Sequence, residues 1–394
     1  MVEQRSVMDM LPDEIAAWCV AHGAPAFRAK QIVQALYHDL VTSYDAMTTL
    51  PKSLRDTLTA ELPLYVPEVT AELHSNDKRT VKLLLKLHGD VQIETVLMLY
   101  PPNPDGRARA TVCVSSQAGC AYGCTFCATG QMGFERHLQA GEIVAQVLHF
   151  ARYLRANPWT WEAAMGQAAG SLDHITNIVL MGMGEPLHNY DNTLRALRLL
   201  NASTGFNLGA RHMTVSTVGL VPSILRLADE ALQVNLAISL HAPNNAMRAQ
   251  TMPIARKWDM DALLGACRTF IDKTGRQVTF EYVLLSGVND GLAHATELGQ
   301  RLAPFGPLAH VNLIPVNVTA AGYQPPSGET IRAFRDTLRR AGISNSVRAE
   351  RGDDIAAACG QLRTRENQRV VATPGLPPVT PARALPHYRR TPAE

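Results

Sequence analysis

Cys120, Cys124 and Cys127 stand at CxxxCxxC spacing in the segment GCAYGCTFCATG, directly after an apolar stretch. Thiolate sulfur is a soft ligand suited to iron–sulfur clusters, zinc and copper(I). A [4Fe–4S] cube ordinarily takes four thiolates. Three from one loop would therefore hold three irons and leave the fourth corner open. A ligand carrying an amino and a carboxylate group is able to chelate such a corner. Two plainer readings compete. A structural zinc site wants four ligands, usually as two CxxC pairs, and its fourth would have to come from far along the chain. Unligated core cysteines would require an unusual density, because four of the seven cysteines, Cys113 to Cys127, fall within fifteen residues.

A second group with chemical potential is MGMGEP, where Gly182, Gly184 and Glu185 follow the apolar run NIVL. Glycines let a backbone approach a ligand closely, and a carboxylate beside them is able to take the ammonium of a bound amino acid. A dinucleotide-binding fingerprint would need a glycine three residues after Gly184, but Leu187 stands there, so a nucleotide-fold reading is weak. Cys113 and Cys359 read in isolation as small hydrophobes, the common fate of free cysteine. Glu94, in QIETVLM, reads in isolation as a solvent-facing strand residue. Cys19 and Cys267 read as core or surface cysteines.

These groups need a frame to hold them. FRAKQIVQALY sets Phe27, Ile32, Ala35 and Leu36 at helical spacing, and Pro51 opens a second helical stretch, LPKSLRDTLTAEL. TVKLLLKL and VQIETVLML are rich in β-formers around a Gly89-Asp90 turn, which predicts a β-hairpin. From about 110 to 350, strands and helices alternate. The strands are ATVCVSS, NIVLMGM, HMTVST, QVNLAISL, VTFEYVLL and HVNLIPV. One intervening helix, GEIVAQVLHFARYL, stacks Ile143, Val144, Val147, Leu148 and Ala151 in an apolar stripe. Near-continuous apolar strands imply a parallel sheet covered on both faces. Six such units make either an open (β/α)6 partial barrel, with its site at the strands' C-terminal ends, or a doubly wound sheet. Periodicity does not choose between them. Residues 156–173 read as a surface excursion, and the tail from Val371, with six prolines in 24 residues, as disordered.

The whole composition is that of a soluble globular protein of 394 residues, 46% hydrophobic and 18% charged, and the alternation of strands and helices makes its class α/β. A net charge of +2 does not announce a nucleic-acid binder, so any RNA site would be a local basic surface. Candidates are Arg28, Lys30 and Arg55, then Arg107, Arg109, Arg211, Arg256 and Lys257. No run approaches the roughly 18–20 apolar residues of a membrane span, and the first residues lack an apolar leader core. A cytoplasmic, membrane-free location is expected, and the odd cysteine number argues against a secreted disulfide framework.

CxxxCxxC with Phe126 before the last cysteine resembles the signature of the radical-SAM superfamily. The words VCVSSQAGCAYGCTFCATG, MGMGEPLHN, VSTVGLVP, ISLHAPNN and AACGQL resemble the RlmN/Cfr family of RNA adenosine methyltransferases, its RlmN branch above all, over roughly residues 10–365. The resemblance implies a partial (β/α)6 TIM-like barrel at 110–350, a helical RNA-binding accessory domain at 1–65 and a β-rich connection at 66–109. It also implies a segment at 351–370 carrying a methyl-accepting Cys359, ahead of the tail at 371–394. The implied cofactors are a [4Fe–4S] cluster on Cys120, Cys124 and Cys127, and S-adenosylmethionine (SAM), two molecules per turnover. Gly184, Glu185, Ser216, Ser239, Leu240, His241 and Asn317 would contact SAM. One SAM methylates Cys359; a second, cleaved to a radical, activates that methyl for addition to adenine C2. Glu94 would accept the C2 proton, and Cys113 would resolve the protein–RNA adduct, leaving a disulfide. The implied partners are 23S rRNA, the tRNA anticodon loop and a flavodoxin or ferredoxin electron donor, with the enzyme a monomer. A Cfr-like C8 methyltransferase carries the same motifs.

Overall fold

A computed structural model describes residues 5–102, 108–157, 174–317, 322–348, 352–358 and 360–362. Arg107, the excursion beyond residue 157, Cys359 and the tail lie outside these. Three helices open the chain: α1 (Pro12–Ala21), α2 (Arg28–Tyr37) and α3 (Lys52–Glu61). They bury Ile15, Cys19, Ile32, Val33, Leu36, Leu54 and Leu58 against one another and their linkers. Phe27 departs from the expected stripe. It sits at the N-cap of α2, 54% exposed, with Arg28 over its ring. The bundle is tied to the barrel by Gly141 N–H to Asp9 Oδ1 (2.5 Å), Tyr65 Oη to Gln139 Oε1 (2.7 Å) and Arg195 to Glu14 (2.7 Å).

Strands β1 (Glu68–His74), β2 (Thr80–Lys86), β3 (Gln92–Tyr100) and β4 (Arg109–Cys113) form an antiparallel run rather than an isolated hairpin. The β2–β3 turn includes Gly89 (φ 77°) and Asp90 (φ 63°). Register pairs Leu84 with Glu94 and Val96 with Cys113. A small separate ribbon, β5 (Gln117–Gly119) with β6 (Phe134–His137), brackets the cysteine loop and the short helix α4 (Ala128–Met132).

β4 is also the first strand of the parallel system, followed by β7 (Asn177–Leu180), β8 (Met213–Thr217), β9 (Asn235–Ser239), β10 (Val278–Leu284) and β11 (Ala309–Pro315). A short β12 (Ser344–Val347) extends its far edge. The spatial order is β4-β7-β8-β9-β10-β11, each strand beside its predecessor and parallel to it. That order settles what periodicity left open. A doubly wound sheet reverses direction once, whereas right-handed crossovers that always step the same way put every helix on one face and curl the sheet toward a barrel.

The crossover helices are α5 (Ala140–Ala156), α6 (Tyr190–Asn201), α7 (Val221–Ala228), α8 (Asn245–Thr251) with α9 (Met260–Thr274), α10 (Leu292–Leu302) and α11 (Gly328–Arg340). The expected cover on both faces is corrected accordingly. In β8, Met213, Val215 and Thr217 are buried while Thr214 and Ser216 are half-exposed. The alternate residues line a polar lumen, because six strands do not close the cylinder. Ile143, Val144, Val147, Leu148 and Ala151 are buried as the stripe predicts. Among the described residues no helix is long and apolar enough to cross a membrane.

Candidate active site

The carboxyl ends of the parallel strands converge on a cavity open at its mouth. Cys120, Cys124 and Cys127 lie on its wall, in the loop between β5 and α4. Main-chain bonds shape this loop. Cys120 N–H donates to Gly133 O (2.8 Å), Cys127 N–H to Cys124 O (3.2 Å), and Thr125 N–H to Thr251 O at the end of α8 (2.9 Å). Burial pushes the Cys120 thiol up to about 12 and the Cys124 thiol higher still, with neighbouring acids adding to it. Both are thiols until a metal displaces their protons.

The donor set fits an iron–sulfur cube. Among the described residues no three His, Cys, Asp or Glu side chains converge as a single-ion site, and no fourth cysteine lines the cavity. A cube takes its thiolates on separate iron corners, so three cysteines on one loop hold it with a corner to spare, whereas a structural tetrahedral zinc wants four ligands meeting at one point.

Opposite the loop, β7 ends in Gly182, Gly184 and Glu185. A Cβ on Gly182 would stand 2.7 Å from the Val114 carbonyl carbon, and Gly184 has φ 99° and packs on Gln117. Only glycine fits at either place. The Glu185 carboxylate is buried, accepting from Leu187 N–H (2.9 Å) and Val218 N–H (2.8 Å), and its own N–H donates to Gln117 Oε1 (2.8 Å). Desolvation raises its pKa to about 7 against the pull of those bonds and of the Thr217 hydroxyl. A carboxylate held there, with lone pairs to spare, suits an incoming ammonium.

Ser216, Ser239, His241 and Asn317 also line the cavity. His241 holds φ 56°, accepts from Val283 N–H at Nδ1 (3.0 Å) and meets the edge of Phe126 at 4.9 Å. Burial lowers its pKa to about 3, so the ring is neutral. Leu240 differs. It is fully buried and lines no part of the cavity, although its neighbours Ser239 and His241 do.

Glu94 and Cys113 are carried on the adjoining antiparallel strands, and both are buried. The solvent-facing reading of Glu94 is thus overturned. It pairs with Lys82 at 3.1 Å, both side chains 2% exposed. Burial of such a pair is tolerated because each partner removes the other's uncompensated charge. Lys82 Nζ also donates to Ala356 O (3.1 Å), in the segment leading to Cys359. Past Cys359 the chain is pinned to α4, with Ala128 N–H donating to Gly360 O (2.7 Å) and Thr129 Oγ1 to Leu362 O (2.6 Å). Gly360 lines the cavity.

Sequence reasoning missed Lys82, Gln117 and Arg248. Lys82 alternates with buried Val81 and Leu83 and so reads as an outward residue. Nothing local reveals that both faces of β2 are covered there.

An open-sided parallel barrel with a three-cysteine loop at its carboxyl rim defines a radical SAM enzyme, and the Radical SAM superfamily model matches residues 114–298. The model of the ribosomal RNA large subunit methyltransferase N-terminal domain matches residues 6–63. Ribosomal RNA large subunit methyltransferase N of Nitrosopumilus maritimus is 44% identical over 90% of this chain and 97% of its own. A probable dual-specificity RNA methyltransferase RlmN of Chloroflexus aurantiacus is 46% identical over 93% and 94%. The crystal structure of a radical SAM methyltransferase from Sphaerobacter thermophilus superposes with a TM-score of 0.83 at 48% identity, covering 91% of this chain and 99% of that one. The chain belongs to the RlmN family of radical SAM RNA methyltransferases. A [4Fe–4S] cluster and SAM are its cofactors.

Proposed function

We propose that this chain methylates C2 of an adenosine in 23S rRNA and of one in the tRNA anticodon loop. Cys359 carries the methyl carbon, Cys113 releases the product, and Glu94 accepts the C2 proton. The observation that carries this reading is the tethering of residues 356, 360 and 362, on both sides of Cys359, to Lys82 and to α4 of the cysteine loop. When bound to Cys120, Cys124 and Cys127, the cluster with SAM supplies the one-electron chemistry that an electron-poor carbon between two ring nitrogens requires.

The protein's own residues do the rest. Gly184 and Glu185 hold the amino-acid end of SAM, Ser216, Ser239, Leu240 (through its main chain) and Asn317 flank it, and neutral His241 adds a ring that brings no charge. Lys82 pairs with Glu94 and ties it to the segment that bears Cys359. Attack of the Cys113 thiolate on the Cys359 sulfur forms a disulfide and breaks the carbon–sulfur link; the carbon keeps the bonding pair and takes a proton to become the product methyl, and an external thiol reductant reopens the disulfide. Residues 1–65 hold RNA beside the barrel, and RNA recognition splays the target base out of its stack. The enzyme works as a cytoplasmic monomer fed by a flavodoxin or ferredoxin.

The ammonium role of Glu185 has a pH signature. A bound ammonium favours the carboxylate, so binding expels a proton wherever Glu185 begins protonated. With its pKa near 7 in the empty cavity, the ammonium contact is fullest between about pH 7 and the α-amino group's own titration at about 8. SAM affinity falls about tenfold per unit as pH drops below about 7. Calorimetry of SAM binding to cluster-loaded protein reads this directly, and a pH-independent affinity would remove Glu185 from the ammonium site.

Regiochemistry is tested by product analysis. Reduced, cluster-loaded protein incubated with labelled SAM and with 23S rRNA or tRNA fragments yields 2-methyladenosine on digestion and mass spectrometry. Recovery of 8-methyladenosine would replace the C2 reading by C8.

A further inference from the structure

Arg248 lies in α8 directly behind the cavity wall and is 1% exposed. Its Nη2 donates to Val218 O (2.6 Å) and to Ser239 O (3.5 Å), the carbonyls of two wall residues, while its buried Nε has no hydrogen-bond partner among the described residues. Gly219, at φ 101°, leaves the room the guanidinium occupies, since a Cβ there would stand 3.2 Å from Nη2. The helix that carries Arg248 is itself bonded to the cysteine loop through Thr125 N–H and Thr251 O.

A buried guanidinium stays protonated and is costly without an anion. Among the described residues no carboxylate forms an ion pair with it, although the Glu185 carboxylate stands on the other side of Val218, accepting from its N–H. The titratable groups there whose charge it feels are Cys124, Cys267 and His241. Burial keeps the Cys267 thiol up near 12 and the His241 ring neutral, so neither supplies negative charge at neutral pH. Cys124 remains, and the loop that carries it is bonded to α8 through Thr125 N–H and Thr251 O.

We infer that Arg248 is the built-in counter-cation of the iron–sulfur cluster, offsetting the charge on the Cys124 side and making the cluster easier to reduce. The inference rests on Cys120, Cys124 and Cys127 being the cluster ligands. One-electron reduction adds one negative charge beside a fixed positive one. The reduced form therefore gains more from Arg248 than the oxidised form does, and the midpoint potential rises. For unit charges roughly 10 Å apart at an effective dielectric of about 20, the effect is on the order of tenfold in the reduced-to-oxidised ratio.

The test is an anaerobic redox titration of the cluster in the full chain, without SAM, with dithionite as reductant and paramagnetic resonance of the reduced cluster as the readout. Arg248→Met and Arg248→Gln are expected to lower the reduced-to-oxidised ratio at a set potential by about tenfold, which is 59 mV for a one-electron couple. Arg248→Lys, which keeps the charge but not the fork, is expected to stay close to the wild-type potential. A structural role alone would change iron uptake or SAM affinity and leave the potential of loaded protein unmoved; that result overturns the inference. So does a lysine variant that shifts as far as the methionine one. Thermal unfolding of metal-free protein gives an independent reading. Arg248→Met is expected to be at least as stable as wild type, because an unpaired buried charge has gone, and lower stability would count against the proposal. A wild-type chain that takes up no cluster would defeat the ligand assignment itself, and this inference with it.

Discussion

Replacing Cys124 by alanine is expected to take cluster incorporation and RNA methylation below detection. Cys124 is the middle cysteine of the loop and 7% exposed, so no solvent ligand readily takes the place of its sulfur. Two thiolates cannot hold three iron corners, and the entropy of closing the loop around metal is no longer repaid by a third bond. Iron and sulfide analysis after anaerobic reconstitution, with the absorbance of the cluster, measures the loss. Cys19→Ala is the control. Its sulfur is buried in the helical bundle, and iron content is expected to match wild type. A Cys124→Ala protein that retained about four irons per chain and methylated RNA would break the ligand assignment.

Cys113→Ala is expected to act at the other end of the reaction, converting a turnover enzyme into one that stops as a covalent protein–RNA adduct. Cys113 lies opposite Val96 at the end of β4, and its carbonyl accepts from Thr95 Oγ1 (2.9 Å). These are main-chain features that alanine preserves. Loss of one sulfur atom in a strand flanked on both sides leaves the sheet intact, so the consequence is chemical. Without a thiolate to attack the Cys359 sulfur, the carbon–sulfur link to RNA persists, and at most one RNA is consumed per chain. A denaturing gel shift, with mass spectrometry of the nuclease-trimmed adduct, shows it. Free methylated RNA at the wild-type rate would remove Cys113 from the resolving step.

The contrast between Glu94 and Glu185 shows where sequence reading works. Glu185 follows two glycines at the end of an apolar strand, and local pattern alone puts its carboxylate at the barrel rim. Glu94 sits in a strand whose two faces look alike from sequence. Its burial depends on Lys82 arriving from the neighbouring strand and on Ala356, 274 residues beyond Lys82, closing over the pair. Arg248 is the same case. Seven-residue α8 advertises nothing, and the lack of an acid partner among the described residues becomes visible only when every neighbour is placed.

The sequence by itself determined the chemistry and the elements. Thiolates at CxxxCxxC spacing share one loop because separations of four and three residues cannot do otherwise, and the six parallel strands announce themselves as near-continuous apolar runs between helices. Only the tertiary structure decided that these strands step in one direction round a polar lumen, and that β1–β3 continue the same sheet. It also decided that Lys82, Glu94 and Arg248 are buried. Strand order, burial of a second face and charge pairing depend on contacts between residues far apart in the chain, and local periodicity carries no record of them.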